Sequence, residues 1–229
     1  MREKVIFAWS GGKDSSMALY ELKKNKNLEI SALLTTMTQD YKRVSIHGVR
    51  SVLLERQADA LGLPLEQVNI TKDFSSEEYE VKMRDKLGYY KKRGVSTVAF
   101  GDIFLEDLRK YRQEKLAGMM KAVFPIWKRD TGLLAHDFID LGFKAITTCV
   151  DSNFLSQDFA GREFDGRFLS ELPRGVDPCG ENGEFHTFVY DGPIFKNSIG
   201  CQKKDVILRD SRFYYCELLP VGQAIDAAV

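Results

Sequence analysis

KVIFAWSGGKDSS, residues 4–16, decides the fold. Val5 to Trp9 form an apolar run without alternation, the pattern of a strand buried on both faces. SSMALYELKKN follows, with Ala18, Leu19 and Leu22 on one helical face, so Ser10–Ser15 join a strand to a helix. In open α/β sheets this junction is where ligands bind, and a helix N-terminus offers N–H groups and a partial positive charge to an anion. Gly11 and Gly12 let the backbone come close to oxygen atoms, Lys13 supplies a full positive charge, and Ser10 and Ser15 supply hydroxyls. Asp14 is suited to orient them or to hold a magnesium ion that screens phosphates. The stretch is neither a Walker A loop nor a dinucleotide G-x-G-x-x-G.

Working outward, the strand-helix unit recurs. EISALLTTM reads as a second strand and SVLLERQADALG as a helix stopping at Gly62, with Pro64 just beyond. LPLEQVNI is a third strand. Ser75 and Glu78 then have capping-box spacing for a helix that carries Tyr79, Met83, Leu87 and Tyr90 on one face and ends by Gly94. VSTVAF makes a fourth strand, a charged helix runs from about Leu105 to Met119, and AVFPIW makes a fifth strand. The expected fold is α/β: an open parallel five-stranded Rossmann-like sheet with helices on both faces.

After Trp127 the rhythm changes. One more helix and strand lie in DTGLLAHDFIDLGFKAITTCVD, a loop-rich stretch follows, and EFHTFVY, DVILRD and RFYYCELL read as β-strands. The expected division is 1–127 for an anion-binding domain and 128–229 for a smaller α+β domain that completes the site.

Composition narrows the function. Lysine plus arginine equals aspartate plus glutamate at 33 each, so the overall positive charge of a nucleic-acid binder is missing. VIFAW is too short for a membrane span or signal core, and a cytoplasmic protein is expected. Cys149, Cys179, Cys201 and Cys216 stand far apart with no C-x-x-C pair, which argues for reduced thiols and against a zinc site.

Beyond the first loop, CGENGEFHT, residues 179–187, groups Glu181, Glu184 and His186 among glycines, a set able to hold a substrate, bind magnesium or act as general base. Gly101 and Asp102 close the fourth strand, expected beside the first, and so face the crevice at the switch point.

SGGKDS, Ser10–Ser15, resembles the PP-loop of the ATP pyrophosphatases, which share an adenine-nucleotide alpha-hydrolase (HUP-type) fold and cleave ATP between the alpha and beta phosphates. CGENGEFHT resembles the E-[GN]-G-E-[FY]-x-[TS] element of the diphthine–ammonia ligase-like family within that group. GDIFLEDLRKYRQEK is similar to the family's segment after the fourth strand, with Asp107, Arg112 and Glu114 at its aspartate, arginine and glutamate. FPIWKRD resembles its P-L-W-G-R-D, with Lys128 in place of the usual glycine, and HGVR at 47–50 falls in its variable region.

The resemblance implies an ATP-dependent ligase that adenylates a carboxylate, releasing AMP and pyrophosphate, and forms an amide with ammonia or an amine. It implies Lys13, Asp14, Glu181 and Glu184 as catalytic residues. Ser10, Gly11, Gly12, Lys13, Asp14, Ser15, Gly101 and Asp102 would bind ATP, with Mg2+ on Asp14. His47, Arg112, Glu114, Gly183, His186 and Thr187 would hold a small-molecule or protein acceptor. The fold class commonly pairs, so a homodimer stays open. Two other readings stay open: another PP-loop reaction such as tRNA modification or sulfur transfer, and a nucleotide-binding sensor without turnover.

Overall fold

The computed structural model describes residues 2–38, 48–71 and 75–221, together with the backbone of a two-residue strand at 43–44. Five parallel strands form the first sheet: β1 (Glu3–Ala8), β2 (Leu28–Thr38), β4 (Leu65–Ile70), β5 (Val95–Ala99) and β6 (Lys121–Val123). β1 pairs with β2 on one side and β5 on the other; β4 pairs with β2 and β6 with β5. The parallel order is thus β4-β2-β1-β5-β6. β3 (Arg43–Val44) adds an antiparallel ladder at Met37 and Thr38. The direction of winding reverses between β1 and β5, which opens a crevice at their C-terminal ends.

The continuous apolar runs are explained by helices on both faces. Val5 and Phe7 of β1 join one core with α1 (Lys13–Lys24) and α2 (Ser51–Leu61). Ile6 points the other way, into a core shared with Leu87 and Tyr90 of α3 (Ser76–Lys91) and Leu116 of α4 (Glu106–Leu116). The local signals act as their chemistry requires. The Ser75 hydroxyl accepts the Glu78 N–H at 3.0 Å. Gly62 closes α2 at φ 67°, a left-handed conformation that favours glycine.

One element differs from the expectation. AVFPIW is strand only through Val123; Phe124–Trp127 fold into a turn, with the Trp127 N–H on the Phe124 carbonyl at 3.2 Å. Pro125 has no N–H to give a ladder. Phe124 instead stacks on Phe100, ring centroids 5.5 Å apart.

After this turn come α5 (Thr131–Asp140), a short α6 (Gly166–Ser170) and a second sheet of β7 (Lys144–Asp151), β8 (Phe185–Asp191), β9 (Cys201–Arg209) and β10 (Phe213–Pro220). Its order is β8-β7-β10-β9, antiparallel throughout. The fold is therefore α/β with a smaller α+β part. A single core runs through both: Phe7, Met17 and Leu54 belong to the same buried cluster as Phe138, Phe168, Phe185 and Phe188. Among the described residues no helix is long and apolar enough to cross a membrane. All four cysteines are free thiols.

Candidate functional site

A cavity of about 800 Å³ opens at the C-terminal ends of β1, β2 and β5. Its inner end is polar: Ser10, Asp14 and Ser15 from the β1-α1 turn, Gly101 and Asp102 after β5, and Glu181, Gly183 and His186 from the second part of the chain. Between the sheet and the α3 and α4 layer the wall carries apolar Leu34, Val98, Met83, Leu87, Leu116 and Met119, together with charged Glu80, Arg84 and Lys115. The helical face at Tyr79, Met83 and Leu87 therefore lines the cavity.

The β1-α1 turn is held from beneath. Gln57 of α2 is fully buried; its Oε1 accepts the Trp9 indole N–H at 2.9 Å, and its Nε2 donates to the Gly11 carbonyl at 3.0 Å and the Val189 carbonyl at 2.6 Å. Only one orientation of the amide satisfies one donor and two acceptors together. Gly11 has φ 79°, and its carbonyl also accepts the Val189 N–H at 2.9 Å. Gly12 precedes the first helical residue, and its carbonyl accepts the Ser16 N–H and the hydroxyls of Ser15 and Ser16. Both glycines thus shape the loop from below the cavity wall. Gly101 lies flush against α1: a Cβ there would come 3.0 Å from the Ser15 nitrogen and 3.1 Å from the Asp14 carbonyl.

Three carboxyl groups face the inner end. Asp14 is held above its ordinary range by burial, against the pull of Lys13, whose ammonium lies 2.9 Å away. Asp102 is raised by burial, opposed by Arg112, with Asp14 adding to the rise. Arg112 grips Asp102 at 2.7 and 3.0 Å while its guanidinium lies 4.3 Å from the centre of the Phe100 ring. Glu181 is pushed up to about 7 by burial, against the N–H of Ile103, with Asp14 raising it further. Its Oε1 accepts the Ile103 N–H at 2.7 Å and the Phe104 N–H at 3.3 Å, so it bridges the loop after β5 and its own loop.

The loop that carries Glu181 is built by two other carboxylates. Asp177 accepts the N–H groups of Cys179 and Glu181 at 2.9 and 3.1 Å and the Thr131 hydroxyl at 2.6 Å. Glu184, 1% exposed, accepts the N–H of Asp177, the N–H of Asn182 and the Asn182 side-chain amide, each at 3.0 Å. Gly180 and Gly183 take φ 65° and 89° within the same loop.

Several expected site residues lie elsewhere. Glu184 spends its carboxylate on the loop and does not face the cavity. Thr187 is buried, its hydroxyl accepting the Lys13 backbone N–H at 3.0 Å. Lys13 itself is 3% exposed and is turned away from the cavity, toward the Cys179 carbonyl. Glu114 stands on the outer side of α4, exposed and 4.0 Å from Lys110. Arg112 lines the cavity but is committed to Asp102. His47 lies outside the described residues. Gln57 and Asp177 were not singled out in the sequence: a glutamine on a helix face and an aspartate in a loop carry no mark of the partners that folding brings to them.

Two family models match the chain: diphthamide synthase N-terminal domain over residues 3–119 and diphthamide synthase C-terminal domain over 130–216. Among curated relatives, a protein named diphthine–ammonia ligase from Danio rerio is 30% identical, with 96% of this chain and 92% of the relative aligned. One of the same name from Schizosaccharomyces pombe is 26% identical over 91% of this chain and 38% of its own length. The Mus musculus protein of that name is 26% identical over 91% of this chain and 86% of the relative. A solved structure of a U34-tRNA thiolase from Methanococcus maripaludis aligns with 62% of this chain and 58% of its own, at TM-score 0.39 and 19% identity.

Proposed function

The chain belongs to the diphthamide synthase family, and from that premise we propose that it is an ATP-dependent amide ligase that acts on a carboxylate with ammonia, as the names of its relatives describe. The observation that carries this reading is the polar inner end of the cavity, where a strand-to-helix turn, the end of the neighbouring strand and the Glu181 loop converge.

An acceptor carboxylate oxygen attacks the alpha phosphorus of ATP, and pyrophosphate leaves with the electrons of the bond that breaks. Ammonia then attacks the acyl carbon of the adenylate, AMP leaves, and one proton is lost from nitrogen. The turn suits the first step: it sets Ser10, Asp14, Ser15 and the start of α1 on the cavity, where the end of the helix favours the negative charge that develops on pyrophosphate. The apolar side chains between the sheet and the α3 and α4 layer suit a purine ring. Glu181, pushed up to about 7 at the polar end of the cavity, is the group to receive the proton from the attacking nitrogen.

Magnesium fits this arrangement. Burial raises both Asp14 and Asp102, and the charge of Asp14 adds to the rise at Asp102, a concentration of negative charge that a divalent cation would relieve. Asp14 would hold the ion together with phosphate oxygens, and the ion would neutralise charge on the departing pyrophosphate. Among the described residues no group of three His, Cys, Asp or Glu is arranged to hold a metal.

In this reading residues 1–127 bind ATP, 128–229 supply the acceptor side, and the protein works in the cytoplasm. The test is to incubate it with ATP labelled at the alpha phosphate, ammonia and the diphthine-bearing acceptor. Labelled AMP and free pyrophosphate are expected; ADP with phosphate, or binding without turnover, sinks the proposal.

A further inference from the structure

The family resemblance makes Lys13 the phosphate loop's own cation, yet the structure does not place it in the cavity. Its ammonium donates to the Cys179 carbonyl and to Asp14 Oδ2, and it lies 5.1 Å from the centre of the Phe185 ring and 5.8 Å from that of Phe164. Lys13 is 3% exposed, and its ammonium is surrounded by the Cys179 carbonyl, the Asp14 carboxylate and the two rings. Both kinds of contact favour a compact ammonium on a flexible stem. Moving wholly into the cavity would cost the bond to the Cys179 carbonyl and the contact with the rings.

We infer that Lys13 is a positioning residue: its ammonium, turned out of the cavity, ties the first turn of α1 to the Cys179 carbonyl and so fixes where Gly180 and Glu181 stand over the phosphate loop. Cys179 immediately precedes the two residues of that loop that reach the cavity first, Gly180 and Glu181. Further links run in parallel. The Lys13 N–H donates to Thr187 Oγ1 at 3.0 Å, and the Gly11 carbonyl accepts the Val189 N–H at 2.9 Å. The nucleotide-side and acceptor-side loops therefore act as one rigid body, with the lysine as their charged rivet. Apart from Lys13, the segment from Asp177 to Gly183 is held to the rest of the protein through Thr131, which bonds to Asp177 and Cys179, and through Glu181, which bonds to Ile103 and Phe104. The inference rests on the amide-ligase reading for its catalytic meaning, while the contacts it concerns exist without nucleotide.

The test therefore has an arm that needs no turnover. Amide hydrogen exchange is compared between wild type and Lys13→Met, which keeps the length of the side chain and removes the charge. Exchange should rise by about tenfold or more at Gly180–Gly183 and stay unchanged in β1, β2 and β5. An unchanged loop, or a uniform rise across the protein, overturns the inference. In the second arm, affinity for α,β-methylene-ATP should stay within about threefold of wild type; a loss of about thirtyfold or more makes Lys13 a phosphate ligand and overturns it. Should Lys13→Met not fold, the wild-type protein decides. The Lys13 15Nζ resonance, protected from solvent, should keep its chemical shift when the analogue is added, and a large shift overturns the inference. Failure of the ligase reading would show separately, as the absence of AMP from wild type.

Discussion

Replacing Gln57 by leucine is expected to loosen the phosphate loop from beneath without touching the cavity. The substitution keeps the volume of a side chain that is fully buried. It removes the acceptor of the Trp9 indole N–H, and one partner each from the carbonyls of Gly11 and Val189. A buried donor left without a partner costs about 2 kcal/mol, and a lost bond to a carbonyl about 1 kcal/mol. Gly11 keeps the Val189 N–H, so its loss counts for little. The sum is about 3 kcal/mol, which for a chain of this size lowers Tm by about 6–12 °C. Differential scanning calorimetry with and without ATP reads this directly. Affinity for α,β-methylene-ATP should fall as well, because Gly11 sets the path of the turn. A Tm within about 2 °C of wild type would show that Gln57 is not what holds the loop, and the account of the site's foundation would fail.

Gly101→Ala puts a Cβ 3.0 Å from the Ser15 nitrogen, against backbone that has nowhere to go, so a destabilisation of about 1–3 kcal/mol and weaker nucleotide binding are expected in urea unfolding and calorimetric titration. Glu181→Gln keeps an oxygen for the Ile103 N–H but removes the ionisation. The carboxyl binds its proton more tightly folded, at about 7, than at its ordinary 4.5, so its stabilising share is complete below 4.5 and is lost as pH rises through about 7. The variant should therefore match wild type in Tm near pH 4 and exceed it near pH 8, while AMP formation loses its rise through neutral pH; a Tm difference that does not change with pH refutes the assignment. Lys128 holds φ 60°, and its salt bridge to Glu106 at 3.1 Å is exposed at both ends. Lys128→Gly should relieve strain of about 1 kcal/mol and raise Tm slightly, by thermal scanning; a fall in Tm contradicts this.

The parallel sheet was legible because its signals are local. A strand buried on both faces announces itself as an uninterrupted apolar run, and Ser75 and Gly62 sit where their chemistry starts or stops a helix. The fourth strand was expected beside the first because this kind of fold places it there, and β5 pairs with β1. Lys128 shows how a departure from the resembled P-L-W-G-R-D pattern carries physical meaning: it stands at the pattern's glycine and takes a left-handed φ of 60°. AVFPIW misled because Phe124, Ile126 and Trp127 are as apolar as strand residues, while a single proline decides that they turn.

The site was legible only at the level of motifs. The family resemblance singles out Lys13, Glu181, Glu184 and Thr187, but does not tell which way each side chain points. Direction is decided by partners far along the chain, such as the Cys179 carbonyl for Lys13 and the Asp177 and Asn182 amides for Glu184. Gln57 was invisible for the same reason. Its three partners lie 46 to 132 positions away, and nothing around residue 57 foretells them.

The core shared by the two sheets limits how this protein can change. In many two-part enzymes one half grips the common reagent while the other is exchanged freely to suit a new substrate. Here Phe185, beside the acceptor loop, also supplies a ring to the Lys13 ammonium and packs on Phe164 and Phe168. A substitution that reshapes the acceptor side is thus felt beneath the phosphate loop, and a new specificity must be reached by coordinated change in both halves. Grafting the second sheet onto another nucleotide-binding partner would leave an open apolar seam where Phe7, Met17 and Leu54 now stand.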